Sequence, residues 1–220
     1  MRGGSSSGWR PTRGCSQVRG RAGPRRGLAA LVVGLAVLTG TAAAGQERVQ
    51  GDLYTNARYG IRIAKPPGWH FLTAGMIVEL AKKAAGGAPL RGEEDPVKLA
   101  GFAVIVSKEP TLGREIAPQV VLLVHELKER PADVVKTCEG LRSGMSDPET
   151  VEPTREIRLD GRSAARLDFR GVVDGASVRA RTLCTFRDRQ AFVVAAQALS
   201  PDFDREAATF EAILSSFKLE

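Results

Sequence analysis

The sequence predicts an α+β fold: an antiparallel sheet of about six to seven strands with helices on both faces, a three-layer α/β/α sandwich. Three observations predict it. Segments of alternating apolar and polar residues recur between turn signals, which is the strand pattern. Two short, nearly continuous apolar runs, Val120–Leu127 and Ala191–Ala198, suit strands covered on both faces. Hairpin signals at Asp160-Gly161 and across Arg187-Asp188-Arg189-Gln190 make sequence neighbours pair antiparallel.

Residues 1–44 read as a signal peptide. Seven arginines (Arg2, Arg10, Arg13, Arg19, Arg21, Arg25, Arg26) and no acid precede the apolar run Leu28–Leu38, and the small residues of "TGTAAAG" suit cleavage after Ala44. The run falls short of the roughly 20 residues a bilayer crossing needs. An uncleaved anchor is the alternative reading, and Arg25-Arg26 leaves twin-arginine export open beside the general route. The charge follows from this division. The chain has 32 basic and 25 acidic residues, a formal net charge of +7. Removing the leader's seven arginines leaves the rest neutral, so nucleic acid is not an expected partner. Residues 45–220 suffice for one domain with its own core.

Residues 45–56 read as a flexible lead-in, and 57–220 as a single domain. Tyr59, Ile61 and Ile63 alternate with polar positions as a half-buried strand. The strand runs into Pro66-Pro67-Gly68-Trp69. Pro66 keeps Lys65 extended, and Pro67 and Gly68 fit the middle of a type II turn. Trp69 then either packs where the chain folds back over the sheet or offers a stacking platform to a ligand. A helix starts at Ala74 with Thr73 as N-cap and Ile77, Leu80, Ala81 and Ala84 on one face. The Gly/Pro/charge-rich stretch Gly86–Lys98 reads as a long loop. Phe102–Ser107 is a strand, Glu109–Pro118 a loop, and Val120–Leu127 a central strand. Pro131 opens a helix with Val134, Cys138, Leu141 and Met145 on one face. Two hairpins follow, and a helix with Ser200 as N-cap and Pro201 in first position carries the stripe Phe203, Ala207, Phe210, Leu214, Phe217.

Three stretches, "YTNARYGIRIAKPPGW", "VVLLVHELKERPADVVKTCEGL" and "FEAILSSFKLE", together resemble the PsbP/DcrB-like superfamily over about Leu53 to Leu219. The resemblance implies an α/β/α sandwich, export in many members, and accessory or binding roles rather than catalysis. No motif in it is catalytic. The photosynthetic role of one branch is not implied, since nothing here marks a photosynthetic partner.

Candidate chemistry is sparse. His125-Glu126 begins like the zinc-protease motif, but Glu129 stands where the second histidine is needed. His70 is the other histidine. Neither "SGMSD" nor "GRSAA" is a serine-nucleophile elbow, and there is no phosphate-binding or dinucleotide glycine pattern. The run Glu93-Glu94-Asp95 lacks the spacing of a calcium loop. No catalytic residue, cofactor or metal ligand is therefore expected. Cys138 and Cys184 each point towards a packed face. They are either a disulfide between helix and sheet, as an oxidising compartment permits, or two buried reduced thiols. Strand parity gathers Arg158, Arg166, Arg170, Arg179 and Arg181 on one face with Glu156 and Asp168 between them. That face is either a solvated one with cross-strand ion pairs or a partner-binding surface. The expected function is a non-enzymatic exported envelope protein, periplasmic or extracellular, that binds a protein partner or small ligand. The expected contact elements are the loops Gly86–Lys98 and Glu109–Pro118. The alternatives are an exported hydrolase, or a membrane-tethered structural domain if the leader stays attached.

Overall fold

Two antiparallel sheets share one terminal helix in the computed structural model, which describes residues 47–84, 96–110, 116–141 and 146–220. The chain divides into two units, Met1–Thr39 and Gly40–Glu220, and all described residues lie in the second. The leader, most of the loop 86–98, the middle of the loop 109–118, Met145 and the acidic run 93–95 lie outside the described residues.

The smaller sheet has four strands: β1 (Glu47–Gln50), β2 (Leu53–Asn56), β3 (Ile61–Ala64) and β11 (Lys218–Leu219), in that spatial order. This corrects the expectation for residues 45–56: from Glu47 onward the segment is two strands, not a flexible lead-in. The cause is Tyr54, fully buried, whose hydroxyl lies 3.3 Å from Glu47 Oε2 and 3.3 Å from the Ala103 carbonyl. The last residues return to the same sheet, with Leu219 opposite Ile61.

The larger sheet has seven strands: β4 (His70–Thr73), β5 (Val104–Ser107), β6 (Gln119–Glu126), β7 (Ser146–Leu159), β8 (Arg162–Val173), β9 (Ala176–Arg187) and β10 (Gln190–Leu199). Its order is β4-β5-β6-β10-β9-β8-β7, so the two apolar runs β6 and β10 sit side by side at its centre, as their composition requires. Three tight turns link the last four strands. Asp160 and Gly161 both have positive φ, as do Asp174 and Gly175. Both pairs fit the mirror-image turn that matches strand twist.

Four helices complete the described fold: α1 (Ala74–Ala84), α2 (Pro96–Ala100), α3 (Val134–Gly140) and α4 (Ser200–Ser216). Thr73 caps α1 by accepting from the Met76 amide at 3.2 Å. The buried face of α1 carries Ala74 and Val78, whereas Leu80 is 60% exposed, a shift from the expected stripe. Pro131 does not open α3. Asp133 caps it instead, accepting from the Lys136 amide at 2.9 Å. Leu199 occupies the N-cap of α4, with Pro201 just inside, and the Ser200 hydroxyl pairs with Ser177.

The apolar residues form two clusters. The larger packs Phe203, Phe210, Ile213 and Leu214 of α4 against Tyr54, Ile61 and Ile63 of the small sheet and Phe192 and Val194 of the large one. The smaller packs Cys138 of α3 against Ala165, Leu167, Ala180 and Cys184, which have the opposite strand parity. The expected single sheet is thus two, and the described residues are α+β with antiparallel sheets and four helices.

Candidate functional site

The β8–β9 register sets Asp168 opposite Arg181 and Arg170 opposite Arg179. Asp168 is 2% exposed. Arg179 grips it with Nε at 2.9 Å and Nη2 at 3.0 Å, and Arg181 with Nε at 3.0 Å and Nη2 at 2.5 Å. The helix α4 supplies the remaining acids. Arg181 Nη1 lies 2.6 Å from Glu211 Oε1, Arg166 holds both Glu211 oxygens at 2.6 and 3.1 Å, and Arg179 Nη1 reaches Asp204 at 2.8 Å. Asp204 and Glu211 are seven residues apart, so both meet the sheet on one side of the helix. The Phe203 ring lies against the same arginines, with the Arg179 guanidinium 4.8 Å and the Arg181 guanidinium 5.6 Å from its centroid.

Burial alone would raise the Asp168 carboxyl, but the hydrogen bonds from Arg179 and Arg181 outweigh it and hold the group below its ordinary 3.8. Glu211 is likewise held below 4.5 by Arg166 and Arg181 against the opposing effect of burial. The network is a charge-compensated clamp between sheet and helix. Arg166, Arg179 and Arg181 each pair with an acid of the sheet or of α4.

The predicted five-arginine face therefore divides. Arg166, Arg179 and Arg181 converge beneath α4. Arg170 stands apart, 3.4 Å from Glu149. Arg158 is on the other face: the tight turn places it opposite Ser163 and Glu156 opposite Ala165, the parity of the disulfide cluster. The turn pairs even-numbered positions of β7 with odd-numbered positions of β8, so residues of like parity fall on opposite faces across it. Glu211 and Asp204 are not singled out from the sequence, although their seven-residue spacing beside Phe203 and Phe210 is the available signal.

On that opposite face the structure joins Cys138 and Cys184 in a disulfide, with a Cα–Cα distance of 5.9 Å, tying α3 to β9. A cavity of about 430 Å³ lies beside α3, lined by Asp133, Val135, Glu156 and Ser163 among others. Its polar groups are already engaged, Asp133 in the cap and Glu156 with the Ser163 hydroxyl. The two histidines do not meet. His70 is level with Ser107 and, through it, Gln119. His125 is six residues further along β6, roughly 20 Å at strand rise. His125-Glu126 also sits on a strand, where ligands at helical spacing would not converge. No group of three or more His, Cys, Asp or Glu residues that could hold a metal occurs among the described residues. No described helix is long and apolar enough to cross a membrane.

The turn at Pro66-Pro67-Gly68-Trp69 closes with the Trp69 amide 3.3 Å from the Pro66 carbonyl, and Gly68 has φ +78°. Trp69 is 6% exposed and stands edge-on to Phe210 at 6.0 Å. It is core, but its rim also lines an open groove of about 540 Å³ with Val49, Lys65, His70, Phe71, Leu72, Met76 and Pro110. This groove borders the loop starting at Glu109.

No protein family profile and no curated protein sequence matches the chain. Solved structures do match. Cyanobacterial PsbP (CyanoP) from Synechocystis sp. PCC 6803 superposes at TM-score 0.45 and 15% identity, covering 76% of this chain and 91% of its own. The fold is similar to that of PsbP. LpqN, described as involved in cell envelope biogenesis of Mycobacterium tuberculosis, gives 0.47 at 14% identity, covering 72% and 82%. PA94 from Pseudomonas aeruginosa gives 0.42 at 14%, covering 51% and 78%. At these identities and scores the likeness concerns chain path and carries nothing about activity or partner.

Proposed function

We infer that this is an exported, non-enzymatic module of the cell envelope that binds a protein partner or small ligand. The observation that carries the location is the disulfide. Cys138 and Cys184 are both buried and bonded, a state that persists where the compartment is oxidising. The basic-then-apolar leader agrees with it. The non-enzymatic part rests on how the ionisable groups are spent: the most perturbed carboxylates, Asp168 and Glu211, are locked to arginines in a closed clamp, where they brace α4 on the sheet. We further read the scaffold as layered, with α4 on one parity of β8 and β9 and α3 on the other. The arginine cluster is then internal bracing, and the groove beside Trp69 is the contact surface. Fusing residues 1–44 to a reporter enzyme that needs its own disulfides tests the export reading. Reporter activity supports it, and an inactive cytoplasmic fusion contradicts it.

A further inference from the structure

Beyond residue 44 basic and acidic residues balance, yet the fold separates them. One end of the seven-stranded sheet gathers the close of β6, the β9–β10 turn and the β7–β8 turn. There Glu126 is level with Gln190 and Arg187, and Arg162 opens β8 opposite Leu159. The small sheet ends at the same place. Arg187 donates to the Glu220 carbonyl at 2.8 Å, and Lys218, opposite Arg62, pairs with Asp160 of the β7–β8 turn at 3.1 Å. Residues 57–62, 126–130, 158–162, 187–190 and 218–220 make up this end, with nine basic and five acidic residues. Lys128, Arg130 and Arg189 stand exposed on it. The far end reverses the balance: Asp174 sits in the β8–β9 turn and Asp202, Asp204 and Glu206 at the start of α4, against Lys108 and Arg205. The twelve residues of β9 hold the two ends about 40 Å apart, some four times the screening length of about 10 Å at 0.1 M salt. The acids of one end therefore do not cancel the cations of the other.

Going beyond the groove and resting on the export reading, we propose that this basic end docks on an anionic lipid bilayer. Two observations select lipid. The cations come from five separate segments, and from β6 to β7 the end is about 19 Å wide at strand spacing. That is too broad for one small anion and suits a surface of many charged headgroups. The chain also enters the fold here. Glu47 opens β1 opposite Asn56, Asn56 pairs with Ile61, and Ile61 with Leu219. Eight residues separate Glu47 from the apolar run ending at Leu38, at most about 30 Å of chain. During export that run lies in the bilayer, so the end it tethers is the one brought to the headgroups. An acidic protein would match the charge but not the tether. The groove stays clear of the bilayer: His70 is level with Gln119, seven residues along β6 from Glu126, about 23 Å at strand rise.

The test is cosedimentation of the purified, oxidised mature chain, residues 45–220, with phosphatidylglycerol vesicles. The chain should pellet with them at low salt. It should bind at least about tenfold more weakly to phosphatidylcholine vesicles, and likewise to phosphatidylglycerol in about 0.5 M salt. Lys128→Glu/Arg130→Glu should weaken binding by about tenfold or more. Lys108→Glu/Arg205→Glu makes the same change of net charge at the far end and should leave binding within about twofold. All four positions are exposed, so both variants should fold as the parent does. Equal loss in the two variants would reduce the effect to net charge and overturn the proposal. Undiminished binding of the first variant, equal binding to both lipids, no pelleting at low salt, or polyglutamate bound as tightly as the vesicles would each overturn it too. The purified chain is used, so these outcomes leave the export reading to the reporter fusion.

Discussion

Trp69 shows at the scale of one side chain how a residue that looks like a ligand platform is held as a core element. It is nearly buried against Phe210, so Trp69→Ala should cost about 3–5 kcal/mol in a denaturant titration. A loss under about 1 kcal/mol would show that the ring is not structural. Asp168 is the second decisive residue. Removing it takes from Arg179 and Arg181 the buried acid they share, so Asp168→Ala should destabilise by about 3–5 kcal/mol, while Arg158→Ala on the other face should change stability by no more than about 0.5 kcal/mol. Equal effects would mean the clamp is not the unit described. The pH dependence follows from the direction of the shifts. Asp168 and Glu211 sit below their ordinary values in the folded chain, so below those values the unfolded chain binds more protons. Their contribution is fully present above about pH 5 and is lost as pH falls through the ordinary carboxylate range towards the folded values. Asp168→Asn should flatten that acid limb in a stability–pH series. The Pro66-Pro67-Gly68 turn was legible because glycine and proline impose backbone geometry locally. The position of Arg158 was not, because its face depends on a register set by a turn several residues away.

Elements were legible to different degrees, for physical reasons. The helix α4 and strands β6 and β10 announce themselves through periodicity and apolar content. The small sheet does not: β1 and β2 are short and mostly exposed on β1, and β11 is two residues long, so each becomes a strand only through its neighbours. The turn at Asp174-Gly175 carried the same signal as Asp160-Gly161 and could have been read. The disulfide acts at this scale too. It links residues 46 apart in sequence, so by loop-closure entropy its removal should cost about 4 kcal/mol. Cys138→Ala/Cys184→Ala should unfold at correspondingly lower denaturant than the oxidised parent. Coincident unfolding curves would show that α3 is held by packing alone.

At the scale of the whole molecule, the parts sort into scaffold and surface. The two sheets, α4 and the charge clamp form the scaffold, and the groove beside Trp69 is the surface proposed for contact. The proposed location outside the cytoplasm rests on the paired cysteines and on the basic-then-apolar residues 1–44. The most direct test is the intact mass of the protein taken from its native cells into a thiol-alkylating buffer. The account predicts a chain beginning near Gly45 that carries no alkyl group, with Cys138 and Cys184 bonded. A full-length chain carrying three alkyl groups, on Cys15, Cys138 and Cys184, would contradict it.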